Sequence, residues 1–161
     1  MDQAWQLLFE GKIEEAKKLV EAKFSLETCT NFSLLNLMGY IYLEEQNYKE
    51  CLRIYQSYID LAQTKSEQEN EHVGYHQLAM VYREMGNFQK ALVYIDKEME
   101  IIKVYFPNDT LKVSVNNYEQ GYLRLKLGNI EEAESFMKES LDLALQTDDL
   151  IAQACSYRGL G

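Results

Sequence analysis

Small and apolar residues return along this chain in one fixed pattern. Gly11-Lys12-Ile13-Glu14-Glu15-Ala16, Gln46-Asn47-Tyr48-Lys49-Glu50-Cys51, Gly86-Asn87-Phe88-Gln89-Lys90-Ala91 and Gly128-Asn129-Ile130-Glu131-Glu132-Ala133 are four copies of it, spaced by 35, 40 and 42 residues. A unit of about 40 residues is long enough for two helices and two turns, and self-similarity at such a period is the mark of a repeat architecture. Within each copy a glycine suits the left-handed residue that ends a helix, and an asparagine suits the cap that opens the next. The small residue, at Ala16, Cys51, Ala91 or Ala133, then falls one turn into the second helix, where two helices approach closely only without a bulky side chain. Seven residues before the turn stand Ala4, Gly39, Ala79 and Gly121, and three residues after these stand Leu7, Tyr42, Tyr82 and Arg124.

This pattern predicts first helices near 2–10, 30–45, 68–85, 109–127 and 149–161, and second helices near 13–24, 48–64, 88–106 and 130–147. The joints between repeats fall at Thr28 to Asn31, Ser66, Phe106 to Asp109 and Gln146 to Asp149, each expected to supply a capping side chain. A single proline, Pro107, leaves almost the whole chain free to be helical, and it stands where a helix must stop. Leu160-Gly161 aligns with Met38-Gly39 and Leu78-Ala79, so the pattern stops inside a fifth first helix. Either the chain is a fragment of a longer protein or that edge pairs with something, because stacked repeats bury their faces only against neighbours.

The spacing resembles the tetratricopeptide repeat, a helix–turn–helix unit with small residues at its close-packing points, and the resemblance covers nearly the full chain. It implies an all-α fold, a right-handed α-solenoid of about four helical hairpins plus one terminal helix. The expected organisation is a single repeat domain over 1–161, with repeats at 1–27, 30–65, 68–106 and 109–147 and a partial one at 149–161. The unit is longer than the family's usual 34 residues, which is similar to the bacterial peptide-receptor and kinesin-light-chain-like branches. Gln46 replaces a turn glycine, and Arg124 takes a usual aromatic position.

Composition narrows the function. With 16 Lys+Arg against 26 Asp+Glu, the formal charge of −10 disfavours a nucleic-acid surface, which relies on concentrated positive charge. Cys29, Cys51 and Cys155 form no CxxC pair and read as small apolar residues in a reducing, cytoplasmic setting. No apolar run approaches the roughly 18 residues that a membrane span needs, and Met1-Asp2-Gln3-Ala4-Trp5 lacks the layout of a signal peptide. Phosphate-loop, nucleophile-elbow and dinucleotide fingerprints are absent, so no enzyme class and no cofactor is expected. His72 and His76, four apart on one predicted helix with Glu69 a turn earlier, are the only metal-ligand candidate; without a third ligand they read as a polar pair, and no metal is expected.

The resemblance implies that first helices line the inner wall where ligands bind. By position in the unit that wall carries Asn36, Tyr40 and Leu43, then His76, Met80 and Arg83, then Tyr118, Tyr122 and Lys126, with Trp5 and Arg158 towards the ends. Tyrosine offers a large apolar area with a polar tip, and asparagine and arginine pair with peptide groups. The expected activity is therefore a non-catalytic module that binds another protein or a peptide in the groove. A homodimer through the terminal helix is a further expectation. The alternative is a peptide-sensing segment of a larger bacterial regulator, similar to quorum-sensing receptors. The chaperone-tail clamp known in the family needs an asparagine where Tyr40, Met80 and Tyr122 stand, so it is not carried over.

Overall fold

The computed structural model describes residues 2–22, 25 and 28–160. Expected helix residues 23, 24 and 161 and the end of the first repeat at 26–27 lie outside them. The described elements are nine helices: α1 (Asp2–Phe9), α2 (Ile13–Glu21), α3 (Phe32–Glu44), α4 (Tyr48–Thr64), α5 (Gln68–Glu84), α6 (Phe88–Tyr105), α7 (Thr110–Lys126), α8 (Ile130–Ala144) and α9 (Leu150–Leu160). No strand occurs among the described residues. The chain divides into two compact units, Met1–Val81 and Tyr82–Gly161.

The turns follow the backbone logic of the sequence. Gly11, Gly86 and Gly128 are left-handed, and Gln46 takes the same conformation at φ 58° in the place where the pattern lacks its glycine. At each, the next amide returns to a carbonyl of the helix just ended, as Asn47 N to Tyr42 O at 2.8 Å and Asn87 N to Tyr82 O at 2.9 Å. Asn47 and Asn87 then accept from the amides of Glu50 and Lys90, and Asn31, Asp109 and Asp149 do the same for Leu34, Lys112 and Ala152.

Two expected caps are corrected. Ser66 does not cap through its side chain; its backbone sits at φ 54° and serves as the left-handed turn residue that ends α4. Asn129 makes no side-chain cap bond to α8. The helix expected over 130–147, α8, also stops early, at Ala144. Amides 146 and 147 bond back three residues rather than four, and the Thr147 hydroxyl donates to the Ala144 carbonyl at 2.7 Å, which tightens the end out of the α-helix.

In the first unit the small positions are packed out: Ala4, Ala16 and Cys51 are fully buried, alongside Leu35, Leu37, Met38 and Ile41 of α3 and Ile54, Tyr55 and Ile59 of α4. Tyr55 lies across Gly39, and Ile59 crosses Gly74 so closely that a Cβ there would meet its Cγ1 at 2.6 Å. Lys17 of α2 reaches Glu45 at 2.9 Å beyond the end of α3.

The second unit has a different interior. Ala91, Ile95, Ile102, Leu123, Met137 and Ala144 are buried, yet so are Glu98, Ser114, Asn116, Asn117, Glu119, Gln120 and Ser140. Most of these polar groups are paired, with Asn117 the exception, its buried Nδ2 having no hydrogen-bond partner among the described residues. Asn116 donates to the Ile95 carbonyl and to Glu98, Gln120 donates to Asp96, and Ser114 and Ser140 exchange hydroxyl-to-carbonyl bonds at 2.8 and 2.9 Å. Buried polar side chains are for the most part paired in this way. Arg124, at the position where the pattern usually has an aromatic, lays its guanidinium over the Phe136 ring at 4.4 Å and pairs with Glu132 at 3.1 Å, so it fills the aromatic's place with its own planar group.

Candidate functional site

In the first unit the face of α3 presents Asn36 and Tyr40, four residues and about one turn apart. Tyr40 meets Trp5 of α1 edge-on, centroids 5.7 Å apart, and Trp5 stacks on Phe9 at 5.9 Å. The Trp5 indole N–H donates to the Ser33 hydroxyl, and Gln77 of α5 donates to the Tyr40 hydroxyl at 3.1 Å. Together Trp5, Leu8, Phe9, Asn36, Tyr40 and Glu44 line a cleft of about 520 Å³. Asn36 faces inward as well: its Oδ1 accepts from the Tyr55 hydroxyl at 2.8 Å, so part of its polar capacity belongs to the core. His76 and Met80 are half-buried on α5.

In the second unit α7 has two opposite working faces, because 100° per residue puts Val113, Asn117, Gln120 and Arg124 on one side and Val115, Tyr118, Tyr122 and Lys126 on the other. On the tyrosine face the two rings lie 6.3 Å apart. Arg83 sits over Tyr122 at 5.1 Å and Lys126 approaches the same ring at 5.5 Å. Arg83 also donates to both carboxylate oxygens of the buried Glu119, at 3.0 and 2.8 Å, and Arg158 of α9 donates to the Tyr118 hydroxyl. Arg83, expected on the wall of the third repeat, is thus brought beside Tyr118, Tyr122 and Lys126 of the fourth, but it is already engaged by an internal acid.

The opposite face of α7 opens on a larger cleft, about 630 Å³, whose lining includes Met99, Lys103, Asn117, Arg124 and Phe136. The polar residues behind it were not singled out from the sequence. Superposing the repeats on their small residue reveals them: Ser114, Asn116, Asn117 and Gln120 occupy the positions of Phe32, Leu34, Leu35 and Met38.

His72 is buried and lies 3.5 Å from Glu69, while among the described residues no three His, Cys, Asp or Glu side chains gather as a metal site would require. Burial pushes the Cys51 thiol up to about 12, as suits a packing residue whose sulfur faces the Gly39 carbonyl at 3.5 Å. No described helix is long and apolar enough to cross a membrane.

The comparisons with known proteins agree on the fold. Two family models, each described as a tetratricopeptide repeat, match residues 30–103 and 116–147, together about two thirds of the chain. Among solved structures, BtubC (BKLC) from P. vanneervenii is 14% identical, with 97% of this chain and 69% of that chain covered at a TM-score of 0.74. Two structures of a Podosopora anserina protein titled as a kinesin light chain with nearly identical TPR-like repeats are each 15% identical. They cover 99% of this chain and 80% or 81% of theirs, at TM-scores of 0.74 and 0.73. At such identities the likeness bears on the fold, an α-solenoid of helical hairpins, and not on partners. No curated protein matches in sequence. With its four turn motifs, its buried small residues and both family matches, this chain belongs to the tetratricopeptide-repeat family.

Proposed function

We propose that the chain is a non-catalytic module that holds a peptide or a partner helix against the exposed faces of its first helices. Tetratricopeptide repeats are protein-interaction scaffolds, and this chain has the family's repeats over most of its length. The observation that carries the finer reading is a half-buried tyrosine on a first helix of each unit, Tyr40 on α3 in the first and Tyr118 and Tyr122 on α7 in the second. A half-buried tyrosine is held in place by its own packing, so a ligand gains its area without ordering a loose side chain. In the first unit Asn36, His76 and Met80 join Tyr40 as candidates; in the second Lys126 joins Tyr118 and Tyr122, and Arg83 acts through Tyr122.

The test is capture of partners on the intact protein and on a Tyr40, Tyr118 and Tyr122 triple-alanine variant whose circular dichroism is unchanged, followed by titration of the captured partner's own peptides. A partner lost only with the variant supports the reading. A partner retained equally by both moves the site off these faces.

Self-association through α9 is a second part of the proposal. Leu150 and Ile151 are 76% and 78% exposed and Tyr157 is 56% exposed, an apolar cover that solvent does not favour. Sedimentation velocity of Ile151→Glu against the parent checks it: a dimer dispersed by the substitution supports the contact, and a parent that sediments as a monomer at micromolar concentration removes it.

A further inference from the structure

Several half-buried rings of this chain already hold one of its own cations. Phe32, Tyr42, Tyr82, Tyr94, Tyr122 and Phe136 each have a lysine or arginine between 4.4 and 5.6 Å from the ring centroid. The three rings of the cleft in the first unit do not: among the described residues no lysine or arginine stands over Trp5, Phe9 or Tyr40. Phe9 is 81% exposed, far more than its stacking on Trp5 explains. At the rim of the same cleft Glu44 is exposed and has no ion-pair partner among the described residues, while its neighbour Glu45 is held by Lys17 at 2.9 Å.

We propose that this cleft binds an arginine or lysine side chain of a basic peptide, with the cation against the rings of Trp5, Phe9 and Tyr40 and its charge met by Glu44. Cations are drawn to the negative faces of aromatic rings, and a guanidinium also stacks on them through its flat surface. An apolar side chain in the cleft would gain contact with the rings but would strip water from Glu44 without replacing it. An acidic one would meet Glu44 directly and a chain whose formal charge is −10. The volume of about 520 Å³ exceeds one side chain, leaving room for the residues that flank it. The inference rests on the reading that first-helix faces bind a peptide, and it names the class of residue that one part of that surface selects.

Trp5 is the single tryptophan of the chain, so emission excited at the red edge, where its twelve tyrosines do not absorb, reports this cleft. The experiment is titration of the protein, in about 150 mM salt to damp long-range attraction, with acetyl-Gly-Arg-Gly-amide. The control is the same tripeptide carrying citrulline, which keeps the shape of arginine and lacks its charge. The expected result is a saturable change in Trp5 emission with arginine and about tenfold weaker binding of the citrulline peptide, the ratio that a contact of about 1.4 kcal/mol produces. Glu44→Gln and Phe9→Ala alter exposed side chains; each weakens the arginine response about fivefold with helical content unchanged. Equal binding of the citrulline peptide, an unmoved Trp5 signal, or a response that survives both substitutions overturns the proposal. Arginine binding that fails while partner capture still depends on the three tyrosines removes this cleft's preference alone. Arginine binding that succeeds while capture ignores the tyrosines leaves a cation site and removes the proposed tyrosine faces.

Discussion

The ring of Tyr55 lies across Gly39, and its hydroxyl donates to the Asn36 side-chain oxygen at 2.8 Å on the same helix. The close approach of α3 and α4 thus depends on one absent methyl group. Gly39→Ala places a Cβ inside the ring, and Tyr55, only 2% exposed, has no room to withdraw. We expect a loss of about 1–3 kcal/mol in urea unfolding. Tyr55→Phe keeps the ring and costs about 1 kcal/mol through the lost hydrogen bond.

Gln46 bears a side chain in a left-handed turn conformation, at φ 58°, where the other copies of the motif have glycine. That conformation costs an L-residue roughly 1–2 kcal/mol, offset in part by the extra freedom glycine brings to the unfolded chain. Gln46→Gly is expected to raise stability by up to about 1 kcal/mol, read as a higher urea midpoint with the same slope. A lower midpoint would show that the Gln46 side chain stabilises the turn.

Arg83 and Glu119 form an ion pair at 2.8 Å in which the acid is 7% exposed and the base 24%. Arg83→Met withdraws two charge-assisted hydrogen bonds from a buried carboxylate and is expected to cost about 1.5–3 kcal/mol. Glu119→Gln recovers part of that loss in the double variant. Additive losses in the cycle would mean that the two side chains are not coupled.

Burial, and then the nearby Glu67 and Glu69, push the Tyr58 phenol up to about 12. The folded state therefore holds this proton more tightly than the unfolded chain, whose tyrosines titrate near about 10. The contribution is complete below about pH 10 and is lost as pH rises towards 12. The urea midpoint is expected to fall over that window, and to fall less steeply in Tyr58→Phe. A parallel decline in both proteins would assign the alkaline loss to other groups.

The Cys51 thiol is fully buried and shifted up to about 12, whereas Cys29 and Cys155 are partly exposed. Thiol-specific labelling of the native protein near pH 8 is expected to modify Cys29 and Cys155 first, with Cys51 reacting at the rate of unfolding. Rapid labelling at Cys51 would mean that the α3–α4 contact opens locally.

Much of the fold was legible because its cause is local. The four turn motifs dictate where helices stop and start through a left-handed residue and a capping side chain, and the small residues mark where helices touch. Ala4, Ala16, Gly39, Cys51, Ala79, Ala91, Gly121 and Ala133 are all buried as their spacing required. Even the missing glycine at 46 showed itself as a strained turn. Ser66 was misread for the same local reason in reverse: serine usually caps, and here the backbone needed a left-handed residue more than a cap.

The candidate surface was only half legible. Periodicity assigned Tyr40, Tyr118 and Tyr122 to one helix face, because 3.6 residues per turn leaves little choice. It could not say which polar groups on that face were already taken. Arg83 answers Glu119, Asn36 answers Tyr55, and Asn116 and Gln120 of α7 are answered by Glu98, Asp96 and the Ile95 carbonyl. Those partners come from other helices, 18 to 36 residues away in sequence. The sequence by itself determined the helices, their turns and the faces they present, since these depend on neighbours within one or two turns. Only the tertiary structure decided which charges are paired and which rings are left uncovered, because hydrogen bonds and cation–ring contacts are settled by distances across helices that no spacing along the chain encodes.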